Sequence, residues 1–243
     1  MKSSMKAALA CFGMLAFCAP ANAATFTGSV DYYQQSPSAD FGNSNFCAPC
    51  GNHYSSTVTG TLGADGRPVY NPGYGGPAIT QLNGIGTLAW WNIAQFTGSS
   101  PFTTNAFGSY SANIFPTNGT GTNNATAYQT AIFTLSLLAN TAYTFTYTGD
   151  DDVFVALGSQ VISQDGGVHE AGSQINTVSF NSGASSALTI FFADRFERDS
   201  SLSFTVEAAA VPGPVVGAGI PGLLMAWGGL VAWRRRRNQV AVA

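Results

Sequence analysis

Alternation of apolar and polar residues is clearest in residues 126–207, where it predicts a series of short β-strands. In residues 142–147 aromatic side chains alternate with threonine, so Tyr143, Phe145 and Tyr147 share one face of a strand. Further apolar runs predict strands at residues 132–138, 153–157, 160–162, 174–180, 188–192 and 202–206. Turn residues separate these short runs, and Gly158-Ser159 predicts a hairpin. The pattern indicates an all-β fold, an antiparallel β-sandwich of jelly-roll type.

Residues 24–125 carry a weaker pattern and no helical periodicity. Residues 26–32 predict a first strand. The region that follows is rich in Gly, Asn, Ser, Thr and Pro, with short apolar pieces at residues 79–82 and 88–91, which indicates long loops between short strands. We therefore interpret residues 24–125 as the loop-rich N-terminal part of the β-domain and residues 126–207 as its core.

Trp90 and Trp91 are adjacent within one of those apolar pieces. Two neighbouring indoles suggest a platform on which a sugar ring stacks. Adjacent aromatic residues of a β-protein usually divide between core and surface instead, and we favour that interpretation.

The start of the chain has the pattern of a secretory signal peptide. Lys2 and Lys6 precede an apolar run over residues 7–18, and Ala21-Asn22-Ala23 supplies small residues for cleavage. Residues 1–23 are therefore predicted to be removed on export. A lipoprotein signal at Cys18 is disfavoured, because Phe17 stands where a small residue is expected.

The end of the chain has the pattern of a membrane segment. Residues 215–233 are uncharged and mostly apolar, which is the length of one membrane-spanning helix. The basic residues Arg234, Arg235, Arg236 and Arg237 follow, and such a cluster stays in the cytoplasm. Residues 234–243 are thus the predicted cytoplasmic tail.

The linker at residues 208–214 contains Val211, Pro212 and Pro214, and together with the apolar segment and the arginines it resembles a PEP-CTERM-type sorting signal. The resemblance implies a Gram-negative bacterium that makes exopolysaccharide, and an exosortase that recognises the proline motif and removes the hydrophobic tail. The protein would then be anchored in the inner membrane before it reaches the cell surface or the extracellular matrix. Gly213 replaces the glutamate that most often follows the first proline of this motif, and a permanent single-pass anchor is the alternative.

Charge is distributed unevenly along the chain. Two of the nine basic residues lie in the signal peptide and four in the tail, whereas all twelve acidic residues lie between these segments. The exported part has no lysine and only three arginines, Arg67, Arg195 and Arg198. Its strongly negative charge argues against nucleic acid as a partner and suits cations or neutral glycans. We interpret Arg195 and Arg198 as members of surface or loop ion pairs.

Only two of the four cysteines, Cys47 and Cys50, remain once the signal peptide is removed. In an oxidising compartment they are predicted to form a disulfide that closes a small loop. A thioredoxin-like redox site would need a βαβ context, and a zinc site would need more ligands than this pair and His53. Because about a hundred residues separate the pair from Asp150, we expect it to be dispensable for metal binding.

Three carboxylates, Asp150, Asp151 and Asp152, stand in a row beside apolar strand sequence. Two like charges ~4 Å apart repel by about 4 kcal/mol at an effective dielectric constant of about 20, so such a run needs a cation or strong donors. Calcium prefers oxygen ligands of this kind. Asp150 and Asp151 can share one ion only if the backbone turns, which Gly149 permits. A solvated acidic turn between two strands is the alternative.

The acidic run and its surroundings resemble the fibro-slime domain, a relative of the protective-antigen-type lectin domains. The residues that carry the resemblance are Gly149-Asp150-Asp151-Asp152-Val153-Phe154-Val155, residues 157–162, Gly166-Gly167-Val168-His169 and Phe192-Ala193-Asp194-Arg195. The resemblance implies a β-sandwich. In the sugar-binding fungal adhesins among these relatives, two consecutive aspartates joined by a cis peptide coordinate a calcium ion that in turn holds a glycan.

Asp150 and Asp151 match that aspartate pair, so the resemblance implies that they bind calcium, with Asp152 as a further candidate ligand. Asp152 stands where many lectin relatives have glycine, and the family's second calcium-binding loop has no clear counterpart. The resemblance also places residues 165–170 near the aspartates, which makes Asp165 and His169 candidate ligand-binding residues. For His169 a structural hydrogen bond within the loop is the alternative, and one that we favour.

These patterns together indicate an exported protein with a calcium-binding, carbohydrate-binding β-sandwich, whose partner is an extracellular glycan or exopolysaccharide. The alternative is a structural matrix protein without specific sugar binding. The sequence carries no nucleophile elbow, no paired metal-binding histidines, no P-loop and no Rossmann fingerprint. A glycan-acting hydrolase is therefore the least favoured class, and we do not expect an enzyme.

Deletion of residues 220–237 is predicted to release the domain in soluble form, because no other segment is both long and apolar enough to cross a bilayer once the signal peptide is removed. The measurement is the distribution of the protein between the membrane and soluble fractions. Retention of the truncated protein in the membrane fraction would contradict the prediction.

Overall fold

The computed structural model describes residues 25–36, 38, 40–41, 51–105, 109–113, 128–170, 172–184, 187–195, 201–209, 227–231 and 233. The chain divides into one compact unit of residues Ala23–Ala209 and another of Met1–Asn22 with Ala210–Ala243. In the second unit residues 227–231 are helical, and among the described residues no helix has the length and apolar character needed to cross a membrane. Several of the predicted features lie outside the described residues. They are the signal peptide, Cys47, Cys50, Arg198, the sorting motif of Val211, Pro212 and Pro214, and the basic residues Arg234, Arg235, Arg236 and Arg237.

The larger unit is built from β-strands. They are β1 (Thr27–Gln35), β2 (Val58–Leu62), β3 (Pro68–Tyr70), β4 (Phe96–Thr103), β5 (Ser109–Asn113), β6 (Tyr128–Ser136), β7 (Ala142–Gly149), β8 (Asp152–Leu157), β9 (Gln160–Asp165), β10 (Asn176–Asn181), β11 (Ala187–Asp194) and β12 (Ser201–Ala208).

The strands form two antiparallel sheets. The large sheet has the order β3-β2-β9-β8-β11-β6-β1-β4, and the small sheet has the order β10-β7-β12-β5. The predicted antiparallel β-sandwich is therefore confirmed. β6 and β7, which follow each other in the sequence, lie in different sheets, whereas β8 and β9 form the predicted hairpin.

The main hydrophobic core lies between the two sheets. Tyr143, Phe145 and Tyr147 of β7 are all buried there, as their shared face predicts. The intervening Thr146 faces away from this core and hydrogen-bonds to Thr177 of β10, with 3.2 Å between the two hydroxyl oxygens. The alternation of aromatic residues and threonine along β7 thus reflects one buried and one partly exposed face.

A second hydrophobic core covers the opposite face of the large sheet. Phe154 of β8 and Phe191 of β11 point into it, and residues from the loop-rich segment before β4 cover them, among them Ile79, Leu88 and Trp90. Both faces of the large sheet are therefore buried, so its central strands are almost continuously apolar. The loop-rich part of the chain serves as the cover of this core.

Trp90 and Trp91 both belong to the second core and are at most 1 % exposed. They lie in a 3-10 turn, Ala89–Trp91, rather than in a strand, so adjacent side chains need not point to opposite faces. The Trp91 indole donates to the carbonyl oxygens of Ala131 (3.1 Å) and Phe192 (3.2 Å). The expectation that one of the pair faces solvent is wrong, and the described structure leaves neither of them available as a sugar-stacking platform.

Arg195 is fully buried, which corrects its interpretation as a surface or loop residue. Its Nε donates to the carbonyl oxygen of Asp40 at 3.0 Å, and its guanidinium lies 5.3 Å from the centre of the Trp90 ring. One terminal nitrogen lies 3.8 Å from Oδ2 of the buried Asp152. Arg195 therefore joins the loop that covers the second core to the acidic end of β8.

Substitution of Arg195 by glutamine is predicted to lower the free energy of unfolding by about 3 kcal/mol, because it leaves Asp152 buried without its cation. The matched control is Arg67→Gln, since Arg67 is only partly buried and its contact with the Tyr33 hydroxyl is 3.5 Å long. We expect the control to cost less than about 1 kcal/mol. Urea denaturation of the purified proteins measures both, and equal losses in the two variants would contradict the prediction.

Candidate functional site

The acidic run lies where the chain passes from the small sheet to the large sheet. It occupies the connection between β7 and β8, and backbone hydrogen bonds to β12 and β11 hold it in place. The amide of Asp150 donates to the carbonyl oxygen of Ser201 (2.9 Å), and the amide of Asp151 donates to that of Ala193 (3.2 Å). The peptide bond between Asp150 and Asp151 is cis.

Asp151 is the most tightly held member of the run. Its side chain is buried, Oδ1 accepts a hydrogen bond from the amide of His169 (2.9 Å), and Oδ2 accepts one from the amide of Arg195 (2.7 Å). Burial raises the pKa of the Asp151 carboxyl well above its usual value, and the nearby Asp150 charge raises it further. The two amides favour the ionised form but do not fully offset burial, so a cation at this position would stabilise the carboxylate.

Asp194 completes a group of three carboxylates with Asp150 and Asp151. One carboxylate oxygen from each residue lies within 4.8 Å of the others. Asp151 and Asp194 are buried, with 1 % and 6 % exposure, whereas Asp150 is half-buried. Oxygen ligands at this spacing fit a hard cation. Asp194 is one of the residues that carry the resemblance, but it was not predicted as a ligand.

Asp152 lies apart from that group. As the first residue of β8 it points another way: its Oδ1 accepts a hydrogen bond from the amide of Gly167 (2.8 Å), and its Oδ2 faces Arg195. Burial raises the pKa of Asp152 to about 7, although the Arg195 charge opposes the rise. The structure therefore brings only two of the three candidate calcium ligands of the acidic run, Asp150 and Asp151, into one group.

Asp165 and His169, the candidate ligand-binding residues, belong to a second group together with His53. One nitrogen of each imidazole and one oxygen of Asp165 lie within 4.8 Å of one another. Asp165 and His169 are buried, and His53 is 17 % exposed. Burial lowers the pKa of the His169 imidazole, an effect that the Asp165 charge only partly opposes. The backbone amide of His169 donates a hydrogen bond to Asp151, whereas the imidazole ring of His169 belongs to the second group.

The segment that follows Cys50 packs directly against this site. The amide of Gly51 donates to the carbonyl oxygen of Val168 (3.1 Å), and Tyr54 and Gly166 exchange two backbone hydrogen bonds of 2.8 and 2.9 Å. A Cβ atom on Gly166 would lie 2.0 Å from Oγ1 of Thr57, so only glycine permits this approach. Cys47 and Cys50 lie outside the described residues, so their dispensability for metal binding stays a prediction.

No protein-family model matches this chain, and no curated protein matches its sequence. Several solved structures resemble it weakly, and three of them are adhesin or antifreeze-protein domains. The sugar-binding PA14 domain of an RTX adhesin has 13 % identity and a TM-score of 0.35, with coverage of 76 % of this chain and 91 % of that domain. The epithelial adhesin 6 A domain of Candida glabrata, in complex with Galβ1-3GlcNAc, has 14 % identity and a TM-score of 0.34, with coverage of 78 % of this chain and 82 % of that chain. The PA14 domain of the MpAFP antifreeze protein has 14 % identity and a TM-score of 0.31, with coverage of 79 % of this chain and 86 % of that chain.

Proposed function

We propose that the chain is an exported, calcium-dependent glycan-binding protein of the cell surface or extracellular matrix, in which Asp150, Asp151 and Asp194 hold the calcium ion. The observation that carries the proposal is the group formed by these three carboxylates, whose oxygen atoms lie within 4.8 Å of one another. Two oxygens bound to one calcium ion at about 2.4 Å lie at most about 4.8 Å apart, so the spacing of the carboxylates is compatible with one shared ion.

Electrostatics support a cation at this position. Two carboxylate charges ~4 Å apart repel by about 4 kcal/mol at an effective dielectric constant of about 20, and three such charges would not remain ionised together without compensation. The amides of His169 and Arg195 each donate to Asp151, which supplies part of that compensation. A divalent ion would supply the remainder and hold all three carboxylates in their ionised form.

The same group leaves room for a ligand. Calcium takes six to eight oxygen ligands, more than three carboxylates provide. Asp150 is half-buried, so solvent reaches the group from its side, and hydroxyl groups of a sugar are oxygen ligands of the required kind. The resemblance of residues 149–155 to the calcium-dependent lectin relatives supports a glycan as the ligand, and the negative charge of the domain suits a neutral one.

Asp152 has a different role in this proposal. Its hydrogen bond with the amide of Gly167 and its contact with Arg195 hold the loop after β9 and the cover of the second core against the acidic run. We assign Asp152 to the positioning of the calcium ligands rather than to the ion itself.

The location of the protein is proposed from its termini. The signal peptide over residues 1–23 would direct export, and the proline motif, the apolar segment and the arginine cluster would hold the protein in the inner membrane until an exosortase-type enzyme processes it. Surface or matrix exposure would then place the domain among extracellular polysaccharides.

A structural matrix protein without specific sugar binding is the second candidate. The burial of both Trp90 and Trp91 favours it, because protein surfaces that bind sugars commonly offer an exposed aromatic ring and these two indoles are enclosed. The two candidates differ in whether a defined glycan binds and in whether that binding needs calcium.

Calcium is predicted to bind the purified protein at one site and to raise its melting temperature. Asp151→Asn and Asp194→Asn should each weaken binding by at least about 10-fold, because each removes a charged ligand of the ion. Calorimetric titration of metal-free protein with calcium measures the affinities.

The matched control is Asp31→Asn, an acidic residue on β1 outside the carboxylate group. Its calcium affinity should equal that of the wild type. Equal heats of binding in wild type and in both site variants, or no heat in the wild type, would refute the assignment of the ion to these carboxylates.

Glycan binding is predicted to disappear in the presence of a calcium chelator and to return when calcium is restored. The measurement is an array of neutral glycans probed with the wild type, with Asp151→Asn and with Asp31→Asn. Calcium binding without any glycan signal would favour the structural matrix protein, and glycan binding that survives both chelation and Asp151→Asn would exclude calcium-mediated recognition.

A further inference from the structure

The chain contains only two histidines, His53 and His169, and they meet in the folded protein. Their rings stack with 4.1 Å between the centres and 30° between the planes. They come from distant segments, one before β2 and one after β9, and both rings approach the same oxygen of Asp165. The meeting of both histidines of the chain at one buried carboxylate calls for a cause.

The distances within this group fit the ligands of a tetrahedral metal ion. Oδ1 of Asp165 lies 2.9 Å from Nδ1 of His53 and 3.5 Å from Nε2 of His169. With metal–ligand bonds of 2.0–2.1 Å, two ligands of a tetrahedral zinc ion lie about 3.3 Å apart. The two observed separations bracket that value, and rotation of the stacked imidazoles would direct a lone pair of each ring at one ion.

The hydroxyl of Ser173 hydrogen-bonds to the His53 ring, with 3.1 Å between Oγ and Nε2. Ser173 Oγ also donates to the carbonyl oxygen of Glu170, so the tautomer with its proton on Nε2 fits this contact. In that tautomer the lone pair of Nδ1 faces an oxygen of Asp165 at 2.9 Å, an arrangement that a metal ion between the two atoms would stabilise.

His169 gives an independent indication. Its side chain is 1 % exposed, and neither ring nitrogen makes a well-formed hydrogen bond among the residues that the structure describes, although backbone groups of Gly149 and Glu170 lie close enough to influence its pKa. Buried polar groups are nearly always paired. An enclosed imidazole whose Nε2 lies 3.5 Å from a carboxylate oxygen has the arrangement of a metal ligand.

We propose that His53, Asp165 and His169 form a second metal site, one for a divalent transition-metal ion of the zinc type. Outer hydrogen bonds already orient two of the three ligands. Ser173 holds His53 through Nε2, and the side-chain amide of Asn176 donates to Oδ2 of Asp165 at 2.7 Å. Metal-binding histidines and carboxylates commonly have such outer partners.

The chemistry of the ligands separates this site from the carboxylate group of Asp150, Asp151 and Asp194. Two imidazoles and one carboxylate suit zinc and related ions, whereas calcium takes oxygen ligands. The second site therefore does not depend on the calcium proposal, and either could fail without the other. An ion bound there would tie the segment before β2 to the loop after β9, whose His169 amide also holds Asp151.

The test uses the purified, metal-free full chain saturated with calcium and titrated with cobalt(II) as a spectroscopic probe for zinc. The visible absorption of four-coordinate cobalt should appear, saturate at a single site and be displaced by zinc. His53→Gln, His169→Gln and Asp165→Asn should each lower cobalt affinity at least about 10-fold, since changes even to outer partners of a metal site cost 10- to 100-fold. Glu207→Gln, at an exposed acidic residue of β12, is the control and should bind as the wild type does.

A second measurement remains informative where a variant fails to fold. With histidine labelled in the wild type, the side-chain NMR signals of the two imidazoles should shift together as zinc is added and reach completion at the same zinc concentration. The same shifts should occur in Cys47→Ser/Cys50→Ser, because the proposal assigns no role to thiolates.

Unshifted imidazole signals at saturating zinc would overturn the proposal, as would cobalt binding that survives all three site substitutions. Loss of binding in Cys47→Ser/Cys50→Ser with unchanged imidazole signals would assign the metal to the cysteines and overturn it as well. Calcium binding with no zinc response would refute this site alone and leave the proposed function intact.

Discussion

The need to compensate buried charge governs the structure around the acidic run of Asp150, Asp151 and Asp152. Asp151, Asp152, Asp165, Asp194 and Arg195 are all at most 6 % exposed. A buried carboxylate costs several kcal/mol unless it is paired or protonated, so each of these groups requires a partner from another element. Backbone amides, Arg195 and the two histidines supply part of that requirement. The loops around the acidic run are consequently fixed by electrostatics as much as by apolar packing.

The sequence predicted those parts of the fold that alternation describes. The strand of Tyr143, Phe145 and Tyr147, the hairpin at Gly158-Ser159 and the antiparallel sandwich are all present. Alternation failed for β2, β3 and β4, because strands within a region rich in Gly, Ser and Thr have little apolar signal of their own. It also failed for Trp90 and Trp91, where a 3-10 turn removes the two-residue period on which the prediction relied.

The candidate site was predictable where its residues are adjacent in sequence and unpredictable where they come together only through the fold. Asp150 and Asp151 were recognised from charge density within one short run. Asp194 and His53 were not, since each comes from a different part of the chain and only the pairing of strands brings it to the site. A rare residue type can indicate such a site from the sequence. In this chain both histidines belong to the group that contains Asp165.

The pairing of β1 with β6 has a consequence for the order in which the protein acquires its binding groups. Val30 lies opposite Phe133, so the centre of the large sheet closes a loop of about a hundred residues, a topology that folds slowly. Asp194 is the last residue of β11, which lies between β6 and β8. A growing chain that has not yet reached residue 194 has most of its strands and already contains His53, Asp165 and His169, but it lacks the third carboxylate of the group of Asp150, Asp151 and Asp194. Completion of the proposed calcium site and completion of the sandwich therefore belong to the same late stage of folding.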